Sequence, residues 1–252
     1  EIDSARRELP DRYFRREYEA SFDAFSGNVY DEWRDEMHVL SRAQLEAEFP
    51  RRTNGIRSIF RRVIAGVDFG WNSPGAMVVI GDLGNRWIVL DESYAPNRII
   101  YDPRLTTGTW ATEGRRLKET WGVSMFFCDP ARPDGIFALE RAGLPVLGAD
   151  NELVYGIRKV SEALHPIDGK PRLRMIDTCK NTIREARSYQ WALPRSMRQA
   201  VIVDPQLTFL EQPAPAQSDH ALDALRYGMV ELMRYETPGQ QVQNGRPAIR
   251  AL

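Results

Sequence analysis

The spacing of apolar and polar positions changes at Arg62. Before it, ARRELPDRYFRREYEASFDAF and RAQLEAEF place apolar residues three and four apart among many charges, the spacing of one helical face. Residues 1–60 are therefore expected to form a helical arm or linker, the tail of an upstream domain, standing outside the main core. After it, RVIAGVDFG is a short β-branched run closed by Asp and Gly, and PGAMVVIGDLGNRWIVLDESY gives two apolar runs split by Asp82, Gly84 and Asn85. Runs of this kind separated by turn residues predict three successive antiparallel strands.

The pattern then alternates. TWATEGRRLKETWG reads as a helix, VSMFFCDP as a buried strand ending at Asp129, GIFALERAG as a helix, LPVLGA as a short strand and NELVYGIRKVSEALH as a helix. Strand and helix in alternation predict an α/β sheet with helices on its faces. PIDGKPRLRMID is expected to be a hairpin turning at Asp168-Gly169, a pair suited to a type I′ turn, with Pro166 and Pro171 confining it to an edge or a protruding ribbon. CKNTIREARSYQW is a further helix, and an irregular stretch runs to Ala216. In the closing helix, SDHALDALRYGMVELMRYE, Leu222, Leu225, Met229 and Leu232 share one face. The core domain is thus expected over 61–236, with the Gly-, Pro- and Gln-rich residues 237–252 as a flexible tail. No internal repeat is present.

Composition narrows the class. The chain has 252 residues, 42% apolar and 27% charged, which suits a folded globular protein. No apolar run approaches the roughly 18 residues that span a bilayer, and EIDSARRELP lacks signal-peptide character, so a soluble intracellular protein without a membrane partner is expected. Cys128 and Cys179 are isolated, against a disulfide framework or a cysteine zinc site. The net charge of -1 conceals basic stretches: five Arg and no acid over 51–62, and eight Lys or Arg over 170–198 against Asp177 and Glu185. Each could meet phosphates or be a solvated face.

Asp68 and Asp129 each end a predicted strand, where the backbone is fixed and the side chain meets a cleft. If the two strands are neighbours, the carboxylates converge. The closing helix offers Asp219, His220 and Asp223 beside its apolar stripe. An oxygen-rich set of this kind suits Mg²⁺ or Mn²⁺ better than zinc. Such a set answers the needs of phosphodiester hydrolysis: two ions ~4 Å apart activate water and neutralise the leaving oxygen. Asp68 is the candidate bridge between them. Each residue also has a plain structural reading, as turn former, helix starter or surface polar group. Glu92, at the end of the third strand, could join the cluster or be structural.

Taken in order, VIAGVDFGWNSPGAMVVIGD, WIVLDESY, GIRKVSEAL, CKNTIREARSYQW and SDHALDALRYGM resemble the successive signatures of the C-terminal nuclease domain of phage terminase large subunits. The segment Asp219-His220-x-x-Asp223-Ala224-x-Arg226-Tyr227 is the most specific, and NVYDEW resembles the stretch that joins the family's ATPase to its nuclease. The resemblance runs from about residue 62 to 235.

What the resemblance implies is an RNase H-like mixed β-sheet flanked by helices, preceded by the helical arm, and a two-metal endonuclease that cuts concatemeric double-stranded viral DNA to start and end genome packaging. Its acidic residues map to Asp68, Asp129 and Asp223 as catalytic groups and metal ligands, with Asp219 assisting as a ligand and His220 near the ions as a further catalytic residue. The basic hairpin, with Lys170, Arg172 and Arg174, falls where family members can carry a DNA-contacting ribbon. Implied partners are duplex DNA, a portal protein, a small terminase subunit and an upstream ATPase domain of the same polypeptide, in the host cytoplasm and transiently at the procapsid portal. A G-x-x-x-x-G-K-[ST] loop is missing, so this chain should cut without driving translocation alone. Rival readings are a junction resolvase or transposase, an actin-like sugar kinase suggested by GVDFG, and a non-catalytic docking module.

Overall fold

A computed structural model describes residues 2–18, 27–49, 55–192 and 212–234. Along the chain run α1 (Ile2–Glu8), α2 (Asp11–Tyr18), α3 (Asp35–His38), β1 (Val39–Leu40), α4 (Arg42–Glu48), β2 (Arg62–Asp68), β3 (Gly75–Asp82), β4 (Trp87–Ala95), α5 (Trp110–Trp121), β5 (Met125–Cys128) and α6 (Pro133–Arg141). They are followed by β6 (Val146–Gly148), α7 (Leu153–Leu164), β7 (Pro166–Ile167), β8 (Lys170–Pro171), β9 (Leu173–Ile176), α8 (Lys180–Ser188) and α9 (His220–Arg234).

Seven strands form one sheet in the order β1-β9-β4-β3-β2-β5-β6. β2, β3 and β4 are the expected antiparallel meander, while β5 and β6 on one flank and β9 and β1 on the other pair in parallel. Side chains alternate between the faces of a strand, so each run feeds two cores. Ile64, Val78, Ile80, Trp87, Val89 and Phe127 pack under α7, α8 and α9. Val63, Ala65, Val67, Met77, Val79 and Phe126 pack against α4, α5 and α6. All eight residues of β3 are buried, as a central strand covered on both faces requires.

Two local features of the sheet, a register shift and a glycine, place chemistry. Between β3 and β4 the register shifts at Val79/Ile80, where Val79 faces Asp91 and Ile80 faces Val89. The extra residue, Leu90, keeps Leu90 and Asp91 on the α5 side and turns Glu92 and Tyr94 towards α8 and α9. The second feature is Gly66, which keeps the regular register of β2. A methyl group there would overlap the Ala224 carbonyl of α9, so only glycine lets the helix lie this close to β2.

The expected separation of residues 1–60 from the core holds for little of that span. α1 buries no residue, but α2 buries Tyr13 and Phe14, and Val29, Tyr30 and Trp33 enter the core under α9. Val29 N–H donates to the Tyr189 carbonyl (2.8 Å), and β1 extends the sheet through β9. Buried His38 ties this segment to α7: Nδ1 lies 2.9 Å from the Arg34 N–H and Nε2 2.9 Å from the Leu164 carbonyl.

The hairpin is also shorter than expected. Asp168 and Gly169 have positive φ (50° and 72°), as a type I′ turn needs, but only Pro166–Pro171 and Ile167–Lys170 pair before the chain enters the central sheet as β9. The predicted irregular stretch falls mostly, and the tail wholly, outside the described residues. Among the described residues no helix is long and apolar enough to cross a membrane.

Candidate metal centre

Strand register brings the first two carboxylates together. β2 and β5 are parallel neighbours with Val67 opposite Cys128, and the Asp129 N–H continues the ladder to the Val67 carbonyl (3.1 Å). Asp68 and Asp129 therefore end adjacent strands at the same level. Alternation carries Ile64, Gly66 and Asp68 to the α9 side of the sheet, and Phe127 and Asp129 likewise.

α9 delivers the remaining groups over that edge. Asp219 immediately precedes it and accepts the Asp223 N–H on its carbonyl (2.7 Å). His220 Nδ1 lies 3.1 Å from Asp68 Oδ2. That hydrogen bond raises the imidazole pKa against the opposing effect of burial. Burial, with the charge of Asp223 next, pushes the Asp219 carboxyl up to about 6. Asp223 is raised as well, chiefly by burial, with Arg226 opposing. These acids crowd one partly desolvated edge, and an added cation would relieve the repulsion.

The donor chemistry fits a hard divalent ion, although the present rotamers do not close a cage. Asp129 Oδ1 accepts the Ala131 N–H (2.9 Å), and Asp223 Oδ1 accepts from Arg226 Nη2 (3.0 Å). Among the described residues no three acidic, His or Cys side chains converge closely enough to hold an ion as they stand. Asp129 and Asp223 would have to turn towards Asp68.

Sequence reasoning missed the residue that sets α9 in place. Glu185 of α8 is fully buried, and its Oε2 accepts the Ala221 and Leu222 N–H groups (2.8 and 3.3 Å) that the first turn of α9 leaves free. Its Oε1 accepts the Tyr94 hydroxyl (2.8 Å), and the Tyr94 ring lies 6.5 Å from that of His220. Burial raises the Glu185 pKa despite these donors. A faint signal was available, because Thr182, Ile183, Glu185 and Ala186 all lie on the buried side of α8. Glu92 has a comparable role at the start of α8. Its carboxylate accepts the backbone and side-chain donors of Asn181 and Thr182 and so caps that helix, outside the cluster.

Lys170, Arg172 and Arg174 are not brought to this edge. β9 runs beside the first residues of β4, level with Asp82 and Arg62 at the opposite end of the meander. Arg174 forms a bidentate pair with Glu48, and Arg172 lies over Trp87 (5.3 Å) while donating to the Glu162 carbonyl. Of the three, Lys170 alone is exposed.

The architecture is a mixed seven-stranded sheet flanked by helices, with an acidic cluster at one sheet edge under the last helix, and this fold is shared with solved large terminases. Comparison with known proteins gives the particular likeness. The chain is 24% identical to the terminase large subunit of Escherichia phage T5 over 243 residues, which cover 93% of this chain and 48% of that protein. The large terminase of a thermophilic bacteriophage superposes with a TM-score of 0.65 at 22% identity, over 92% of this chain and 51% of the other. The large terminase nuclease domain of bacteriophage SPP1, solved with bound Mn, gives a TM-score of 0.53 at 18% identity, over 81% of this chain and 98% of that domain. The chain thus spans about half the length of the first two proteins and nearly all of the SPP1 domain. No family model matches.

Proposed function

We propose that this chain is a divalent-metal-dependent endonuclease domain for duplex DNA, the cutting half of a phage packaging terminase. One observation carries the reading: two parallel strands and the last helix bring Asp68, Asp129, Asp219, His220 and Asp223 to one sheet edge in a fold shared with terminase nuclease domains. Asp68, Asp129 and Asp223 would hold Mg²⁺ or Mn²⁺, two ions in all, and Asp219 would assist. Bound there, the ions would supply an activated water and neutralise charge building on the phosphate.

The chain's own residues do the positioning. His220 fixes one oxygen of Asp68 and leaves the other to a ligand. Glu185 and Tyr94 fix the start of α9, so that His220 and Asp223 face the strand ends. Arg226 holds Asp223 in reserve through a pair that is 4% exposed on the arginine side. In the infected cell, the substrate would be concatemeric viral DNA cut at the start and end of packaging in the host cytoplasm. An upstream ATPase domain, a portal protein and a small terminase subunit would be the partners.

The test is cleavage of supercoiled plasmid in Mn²⁺ and in Mg²⁺ by the chain and by Asp68→Asn. Nicking and linearisation by the parent alone are expected. Equal cutting by both, or no cutting by the parent in Mn²⁺, would overturn the assignment. A marked preference for branched over linear duplex would point to a resolvase instead.

A further inference from the structure

Two arginines outside the acidic cluster flank it on opposite sides. Arg132 begins the turn into α6, its N–H donating to the Asp129 carbonyl (3.1 Å). Its guanidinium reaches across to the carbonyl of Phe69, the residue after Asp68, through Nη1 (3.2 Å). The cation therefore stands between the ends of β2 and β5, where its hydrogen bond to Asp134 and, further off, the charges of Asp129 and Asp68 raise its pKa. Arg184 occupies the other side. It projects from α8 over the Tyr94 ring (5.5 Å), which in turn lies 6.5 Å from the His220 ring, and donates to Asn181 Oδ1 (2.8 Å).

Both cations keep part of their side chains in solvent. Arg184 keeps 55% of its side chain exposed, and its Nη2 lies 3.6 Å from the buried Glu185 carboxylate, longer than a hydrogen bond. Arg132 forms a two-pronged pair with Asp134, the two side chains 34% and 63% exposed, and a phosphate would displace that carboxylate. Either guanidinium can exchange its present partner for a phosphate oxygen, which it matches in a bidentate fork. Arg226, by contrast, is 4% exposed against Asp223, and Arg174 is 16% exposed in its pair with Glu48.

The spacing fits one nucleic-acid strand. From β5 to β4 the sheet crosses β2 and β3, three inter-strand steps of about 4.8 Å, or ~14 Å. That width exceeds one phosphate-to-phosphate step of a single strand, which leaves room for a scissile linkage with a neighbouring phosphate on either side. Asp68 lies between the two ends. We propose that Arg132 and Arg184 hold phosphates on either side of the scissile one, so that the cleaved strand runs across the sheet edge from the β5–α6 turn, over Asp68, to α8. This rests on the nuclease reading and adds a strand path and two substrate-positioning residues.

The experiment measures binding of a short linear duplex to the full chain in the Asp68→Asn background, with Mg²⁺ and across ~50 to ~200 mM salt. Arg132→Gln and Arg184→Gln are each expected to weaken binding about tenfold and to lower the slope of log affinity against log salt by about one, with the two effects adding. Arg132→Lys and Arg184→Lys should restore most of the slope but less of the affinity, because lysine keeps the charge and loses the fork. The melting temperature of each variant should match its background. Unchanged slopes and affinities in the Gln variants would overturn the strand path while leaving the nuclease reading intact. A parent that cleaves no plasmid in Mn²⁺ would instead overturn the nuclease reading and the path with it.

Discussion

Asp68 and Asp82 close opposite ends of the same antiparallel pair, and they are used in opposite ways. Asp82 stands opposite Arg62 in register; its Oδ2 accepts the guanidinium (2.9 Å) and its Oδ1 the Gly84 N–H (2.7 Å). Every oxygen there has a partner, and the carboxylate closes a turn. Asp68 stands opposite Ala76, which offers no charge, and its ion-pair partner is a histidine. The groups gathering around it are more acids, Asp219 and Asp223, whose pKa values it helps to raise. A strand-end aspartate is structural when the fold neutralises it and chemical when the fold surrounds it with its own kind.

Exchanging the charge at each end should separate the two uses. Asp68→Asn removes a carboxylate proposed to hold the metal, and cleavage should fall by on the order of a thousandfold or more while the chain still folds. Asp82→Asn should lower stability by about 1–2 kcal/mol through the lost partner of a one-third-exposed arginine, with the cleavage rate unaltered at temperatures where the chain is folded. Denaturant titration and plasmid cleavage on the same two preparations make the comparison. The contrast fails if Asp82→Asn loses cleavage as severely as Asp68→Asn.

The next largest effect concerns the seat of α9, on which only the Asp68 end depends. Gly66→Ala sets a methyl group against the Ala224 carbonyl, where the obstacle is backbone and cannot swing aside. A cost of about 3 kcal/mol is expected, with α9 displaced and cleavage lost together. At Gly81, towards the other end of β3, an added methyl meets the Phe60 ring and the Leu90 methyl, side chains and not backbone, on the face of the sheet away from α9. Gly81→Ala should therefore cost less and spare cleavage. Equal loss of cleavage by both variants would show that the close seat of α9 has no special role.

How much of this was legible in the sequence follows from how local each determinant is. Asp68 and Asp129 stood out because each ends an apolar run, and their convergence depended on the two strands being neighbours, as β2 and β5 are. Asp219, His220 and Asp223 stood out because they flank the Leu222, Leu225 and Met229 stripe. Tyr94 did not, because strict alternation from Trp87 and Val89 puts it on the other face, and only the bulge at Leu90 turns it back. Glu185 was hidden for a different reason: its partners are backbone N–H groups of a helix that begins 35 residues later. The same distance effect concealed β1, a two-residue strand whose partner lies beyond residue 170, and made Arg172 and Arg174 look like free cations.

Metal addition probes the acidic end alone. An ion that binds the folded chain and not the unfolded one stabilises it by RT ln(1 + [L]/Kd), about 2.7 kcal/mol at a hundredfold excess over Kd. Mn²⁺ should accordingly raise the melting temperature of the parent by several degrees and that of Asp82→Asn by the same increment. Asp68→Asn should show little of this rise, and chelator should reverse it. A rise of equal size in Asp68→Asn would place the ion elsewhere, and the present partners of Asp129 and Asp223 would then be their working ones.

The smallest expected effect lies at the Asp82 end, where Lys170 is the exposed cation of the β7–β8 turn. Along β2 the two ends are six residue steps apart, about 20 Å, close to the width of a DNA duplex. A phosphate held by Lys170 would thus belong to flanking duplex and not to the cleaved linkage. Lys170→Gln should weaken duplex binding by no more than about twofold and lower the salt slope by less than one, leaving the cleavage rate at saturating DNA unchanged. Arg174→Gln should act on stability instead, since it strips Glu48 of the bidentate partner that holds that carboxyl below its usual range. If Lys170→Gln reduced cleavage tenfold at saturating DNA, the turn would have to reach the carboxylate edge, and the division of labour between the two ends of the sheet would be wrong.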